Sequence, residues 1–226
     1  GFVDANISSP NTGIGIIAGY VGLAAGAENY TGKITNCYTT GVLKGSGAAG
    51  GIGGVLGGSG YIKNCYSSAT VIDQIANNTG KAGGIIGRVN GNANGSSIEN
   101  CYTSGDINAI GGGNAGGIVG KVDGGKLVIK NCIAWNSMLV STDKAKVGRI
   151  VGGTANATYE NCYAYDGMIL KAGEATFTVS DETSPSGSSF QGVAKSANEL
   201  KNTVINWDSS LWKEGSNGYP VFKWSK

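Results

Sequence analysis

Histidine is absent from this chain of 226 residues. Without an imidazole, neither a Ser-His-Asp triad nor a Cys-His nucleophile pair can be built, and the commonest metal ligand is missing. Proline occurs only 3 times against 41 glycines. With so regular a hydrophobic pattern, that composition excludes a collagen-like or disordered chain. Charged residues make up 14% and the formal net charge is +2, with no long basic run, so nucleic acid is not an expected partner. No stretch of 18 apolar residues occurs, which excludes a transmembrane helix. No Cys-x-x-Cys pair occurs either, so the five cysteines do not form a clustered metal site. No signal peptide is seen. The opening Gly1-Phe2-Val3-Asp4-Ala5-Asn6-Ile7 resembles Gly105-Asp106-Ile107 at the tail of a repeat. The chain is therefore expected to start mid-repeat, with a secretion signal and earlier sequence removed.

What is present is self-similarity. Asn-Cys-Tyr occurs at 36–38, 64–66, 100–102 and 161–163, and a fifth copy reads Asn131-Cys132-Ile133. From Cys37 through Cys65, Cys101 and Cys132 to Cys162 the steps are 28, 36, 31 and 30 residues. A near-constant period of this size marks a stacked repeat. Between copies runs a glycine-rich apolar segment, as in Gly50-Gly51-Ile52-Gly53, Gly83-Gly84-Ile85-Ile86-Gly87 and Gly116-Gly117-Ile118-Val119-Gly120. A segment such as Ser97-Ile98-Glu99 leads into each Asn-Cys pair, and one such as Thr103-Ser104-Gly105-Asp106-Ile107 follows it.

Each unit thus holds three short segments rich in Ile, Val, Tyr and Thr, punctuated by Gly, Asn and Ser, which suits strands separated by bends. No window sustains the apolar spacing of a helix. Such a unit cannot bury both faces alone. Stacked in register at about 4.8 Å, successive units share one core. The expected fold is all-β: a right-handed parallel β-helix (solenoid) of about five coils over residues 1–170. An antiparallel β-sandwich is the alternative, but it does not explain why the same residues recur at the same place in each unit. Residues 171–226 are expected to form a loop, including 183–187, and an aromatic C-terminal cap. Ser196-Ala197-Asn198-Glu199 is a capping box that predicts a short helix near 197–203. Trp207, Trp212, Tyr219, Phe222 and Trp224 follow, either covering the solenoid end or forming an aromatic platform for sugars.

In stacked coils the cysteines form one column with parallel Cβ vectors, poor geometry for disulfides, so reduced and buried thiols are expected. Asn tolerates the left-handed bend better than other non-glycine residues. If Asn bends the chain, Cys points inward and Tyr outward; a straight strand reverses this. The bend is the preferred reading. The residues before Asn read Thr35, Lys63, Glu99, Lys130, Glu160, a column of alternating sign that supports the register.

The Gly-Gly-Ile-Val-Gly run, the Ile-x-Asn-Cys-Tyr segment and the Thr-Ser-Gly-Asp-Ile tail together resemble the GLUG-motif repeat. The likeness covers about residues 13–165, and residues 190–226 resemble the segment that often ends such arrays. Arg149 in place of the second glycine and Ile133 in place of Tyr are departures. That repeat is found in bacterial surface adhesin-like proteins, some immunoglobulin A peptidases and exported proteins of gut bacteria. The resemblance implies an exported cell-surface protein with an adhesion role, and it brings no catalytic residues.

Tempting chemistry is weak. Gly45-Ser46-Gly47-Ala48-Ala49-Gly50 matches GxGxxG but leads into a β-forming run, not a helix. The 15 acidic residues are dispersed, against a polysaccharide-cleaving or calcium-dependent β-helix enzyme. Thr39-Thr40, Ser67-Ser68 and Thr103-Ser104 are similar to the hydroxyl rows of ice-binding solenoids, but the repeat length is too irregular for a flat array. No catalytic residue, metal or cofactor is expected. The preferred expectation is a non-enzymatic module that binds a host or matrix glycan or protein through an outward column of Tyr38, Tyr66, Tyr102 and Tyr163. Stacking that only stabilises the coil is the competing reading of that column. A pure spacer and a carbohydrate-active enzyme are the alternative functions.

Overall fold

The structure, a computed structural model, describes residues 2–8, 13–25, 28–76, 79–91, 93–154, 157–185 and 187–225. Ser186, in the expected 183–187 loop, and Gly1 lie outside them. Five coils stack as a parallel β-solenoid, closed by a C-terminal segment with one helix. Residue-for-residue register runs through the stack: Lys33–Thr35 pairs Tyr61–Lys63, which pairs Ser97–Glu99, then Val128–Lys130, then Thr158–Glu160. Phe2–Ser8 lies parallel beside Tyr38–Lys44, where the tail of a preceding coil would lie.

Each coil is more finely divided than the three segments expected. The glycine-rich run breaks into two strands, Ala48–Gly50 and Gly53–Leu56 in coil two, belonging to different sheets. The segment after Asn-Cys also breaks, into Tyr66–Ser67 and Thr70–Asp73. The glycines at the first break have a steric cause. A Cβ on Gly84 would sit 2.2 Å from the carbonyl oxygen of Gly117 in the next coil, and one on Gly117 2.2 Å from that of Arg149. Two positions of this column are not glycine: Ile16 in the first coil and Arg149 in the last full one, and the Arg149 guanidinium binds the returning chain. It donates to Asp181 Oδ1 and the Gly192 carbonyl, both at 2.8 Å, which pins that segment onto the stack.

All five repeat asparagines have φ between 50° and 53°, the left-handed bend expected. Their amides also form a ladder. Nδ2 of Asn64, Asn100, Asn131 and Asn161 donates to Oδ1 of the asparagine one coil earlier at 3.0–3.2 Å. The bend turns the next residue inward. Cys65, Cys101, Cys132 and Cys162 are buried, Cys37 is half-buried, and all five are free thiols. Each of the four buried ones donates to a carbonyl of the coil before, such as Cys132 to Ile98 at 3.4 Å. Burial raises the Cys101 and Cys132 pKa values and pushes Cys162 up to about 12. The interior is filled by columns such as Ile52, Ile85, Ile118 and Ile150. A second cluster holds Leu43, Val71, Ile107 and Leu139. Thr39, Ser67 and Thr103 turn inward too, with Thr39 and Thr103 donating to the Gly51 and Gly117 carbonyls at 2.9 Å. Those hydroxyls are therefore structural.

The charge column forms as read. Lys63–Glu99 and Lys130–Glu160 are ion pairs at 3.5 and 2.8 Å, and Glu99 lies beside Lys130 across the strands. The capping box forms as well: Ser196 Oγ accepts from Glu199 N, and Glu199 Oε2 accepts from Ser196 N at 3.0 Å. The helix it starts, α1, spans Ala197–Trp207 and outruns the expected 197–203.

Candidate functional site

The alternation of inward Cys37, outward Tyr38 and inward Thr39 makes the tyrosines an external column. Tyr38 and Tyr66 stack with ring centroids 4.7 Å apart, and Tyr66 and Tyr102 4.9 Å apart, with nearly parallel planes. The expected ligand surface is nevertheless covered. The aromatic tail does not sit on the end of the solenoid; it runs back along this flank. Phe222 lies 5.4 Å from the Tyr66 ring, Trp212 5.9 Å from Tyr102, and Trp224 5.7 Å from Tyr38. The Tyr102 hydroxyl donates to the Pro220 carbonyl. Tyr66 is 6% exposed and Tyr102 1%, so neither can meet a glycan in this conformation. The cause is hydrophobic: a bare aromatic stripe would leave a large apolar patch, and the tail's Trp212 and Phe222 bury it together with Leu200 and Val204 of the helix. Tyr38 is half-buried beneath the same tail.

Tyr163 is the predicted site residue that stays beside an opening. Ile133 interrupts the stack between it and Tyr102. Lys195 takes up one face, its Nζ 3.7 Å from the ring centroid, a cation–π contact. Here the last coils and the helix bound a groove of about 360 Å³. Asn131 and Asn161, the last two members of the amide ladder, line it from the solenoid. Thr203, Asn206 and Trp207 line it from the helix, and Lys195 and Tyr163 complete it. Asn161 and Asn206 are exposed. Each amide presents both donors and acceptors, the rings present flat faces, and the ammonium adds a cation. Such a set can hold a polyhydroxylated molecule through paired hydrogen bonds and apolar stacking. Asn206, Trp207 and Lys195 were not foreseen as site residues. The available signal was the helix itself, whose apolar Leu200 and Val204 commit one face to the tyrosine flank and leave its polar residues beside the last coil.

A second opening of about 400 Å³ lies on the other side of Asn161, lined by Tyr159, Glu160, Cys162, Glu182, Thr183 and Phe190 among others. Burial pushes the Tyr159 phenol up to about 12. Its hydroxyl shares a hydrogen bond with Thr154 at 2.5 Å. Among the described residues, no group of three or more Cys, Asp and Glu side chains is placed to hold a metal ion. No described helix is long and apolar enough to cross a membrane.

The chain matches no protein-family model and no curated protein. It does match a crystal structure of a Bacteroides ovatus protein provisionally named an immunoglobulin A1 protease, with a TM-score of 0.89 and 52% sequence identity. The match covers 97% of this chain and 66% of that one, so the chain spans a little under two thirds of that protein's length. The likeness supports the β-solenoid throughout. The GLUG resemblance rests on the motifs alone.

Proposed function

We propose that this chain is a non-enzymatic binding module of an exported, GLUG-type bacterial surface protein, and that it contacts a host or matrix glycan in the groove between Asn161 and the helix. The observation that carries this reading is the convergence of Asn131, Asn161 and Asn206 amides with Lys195, Tyr163 and Trp207 around one open trough. The solenoid holds Asn131, Asn161, Tyr163 and Lys195, and the capped helix holds Asn206 and Trp207, so little ordering entropy is lost on binding. The exported location is what the repeat motifs imply, and the likeness to a bacterial protein named for action on an immunoglobulin supports it. A catalytic reading has less support. The chain contains no histidine to serve as a base, and its thiols are held by burial and hydrogen bonding in their unreactive form.

A glycan array probed with the wild-type protein, Trp207→Ala and Asn206→Ala tests the reading. Wild-type binding to a defined glycan class, lost in both variants while their circular dichroism stays native, is the expected result. Retention of the signal in both variants would place the ligand elsewhere. No signal from the wild type would favour a spacer that displays another domain, and release of reducing sugar from a polysaccharide would restore the enzyme.

A further inference from the structure

The stack does not end on a whole coil. At the isoleucine break, main-chain N–H groups donate to the next coil: Ile118 and Val119 both donate to the Ile150 carbonyl, at 3.0 and 3.1 Å. Ile150 and Val151 donate in the same way to Phe190, both at 3.1 Å, so Phe190 occupies the isoleucine position of a sixth coil. From there the chain takes a short cut. Only Gln191 and Gly192 separate Phe190 from Val193, which pairs with Tyr163. The same path in coil five, from Ile150 to Tyr163, runs through residues 151–162. The sixth coil thus omits a strand over Ala157–Glu160, which is left at the edge of its five-stranded sheet. The 400 Å³ opening lies in front of that edge.

Three patterns stop at this edge. Alternate residues of a strand direct their main-chain groups to opposite neighbours. Glu160 faces back, its carbonyl accepting from Asn131 N at 2.8 Å, so the N–H groups of Tyr159 and Asn161 face the opening. The amide ladder stops at Asn161, whose Oδ1 has no next asparagine of the column to accept from among the described residues. The charge column stops on an acid, Glu160, and Glu182 adds a second acid to the same opening. Continuation of the column calls for a cation there.

We infer that this edge accepts a short extended peptide from a partner protein, added parallel as a substitute sixth-coil strand, with Lys or Arg opposite Glu160. Main-chain bonds to Tyr159 and Asn161 supply affinity, and Glu160 supplies selectivity for a basic residue, the Glu182 carboxylate being held by the Gln191 N–H at 3.0 Å. Glu182 and Thr183, which the returning chain contributes to the opening, limit the occupant to one strand, so the site does not propagate a sheet.

The chain itself provides the probe. A capped synthetic peptide copying Lys126–Asn131 carries a lysine and an asparagine in the required order, since this segment already pairs with Ala157–Glu160 from the other side. Saturable calorimetric binding to the intact protein below about 1 mM is expected. Slowed hydrogen exchange at the Asn161 amide should accompany it. The peptide bearing Lys130→Glu should bind about two- to five-fold more weakly, and the protein variant Glu160→Lys should reverse that preference. No saturation at that concentration, equal binding of the two peptides by the wild type, or protection confined to the tyrosine flank would each overturn the inference. The Trp207→Ala protein separates it from the glycan reading, because that residue lies outside this opening and peptide binding should persist.

Discussion

Replacing Asn100 tests how much of the fold depends on the bend and how much on the ladder. Asn100 holds φ at 51°, donates to Asn64 at 3.1 Å and accepts from Asn131 at 3.0 Å. Asn100→Gly keeps the backbone shape and deletes both amide bonds. Two side-chain hydrogen bonds at about 0.5–1.5 kcal/mol each bound that loss at about 1–3 kcal/mol. Asn64 and Asn131 are only half-buried, so water re-satisfies their amides and the cost falls toward the lower end. Asn100→Ala deletes the same bonds and also forces a Cβ into the left-handed region, worth about 1–2 kcal/mol. Against this stands the greater chain entropy that glycine loses, about 0.5–1 kcal/mol. The alanine variant should therefore be the less stable by about 0.5–1 kcal/mol. Urea unfolding followed by far-ultraviolet circular dichroism measures both, with the slope m checked for constancy because a repeat array can lose cooperativity. Alanine as stable as glycine would refute the argument from the bend. Both variants within about 0.3 kcal/mol of wild type would refute the argument from the ladder.

Other perturbations separate the remaining contributions. Phe222→Ala removes a fully buried ring packed between Tyr66 and Trp212 and should cost about 3–5 kcal/mol, with loss of near-ultraviolet dichroism from the tyrosine stack; an unchanged melt would mean the tail contributes little. In native protein at about pH 8, Ellman's reagent should reach no thiol except Cys37, and that one slowly, because its contact with the Cys65 thiol and its burial raise its pKa. All five should react after denaturation, and rapid reaction of Cys101 in the native state would contradict the packing. Asp73 is buried with Oδ2 unpartnered, and burial raises its pKa above the ordinary carboxylate value. The folded state then holds this proton more tightly than the unfolded one, so Asp73 costs stability as pH rises from the ordinary carboxylate range through its raised value. Asp73→Asn, which keeps an oxygen for the Gly47 and Ile75 N–H groups, should raise the melting temperature at about pH 7 and change it little at about pH 3. A variant destabilised at neutral pH would reverse the sign of that argument.

Stacking in register turns a period in sequence into a column in space, and this determines which features were legible beforehand. The asparagine bends, the inward thiols and the alternating Lys63, Glu99, Lys130 and Glu160 column each concern one position repeated, and they can be read without knowing the path between repeats. The finer division of each coil was not legible, because the break at Gly84 depends on the carbonyl of Gly117 in another coil. The tyrosine column marks the boundary. Its outward direction follows from the bend, but its exposure depends on Trp212 and Phe222, which no period links to any coil. Only the match between an outward aromatic stripe and an aromatic tail could have joined them. Arg149 carries the converse lesson. Read as a loosened motif, it looks like drift; placed in the stack, its guanidinium ties the returning chain to the last full coil. Ile133 departs from the repeat inside the stack, whereas Arg149 departs where the array ends, and the groove and the open strand edge both lie at that end, where the columns that specify the rest of the molecule stop constraining the chain.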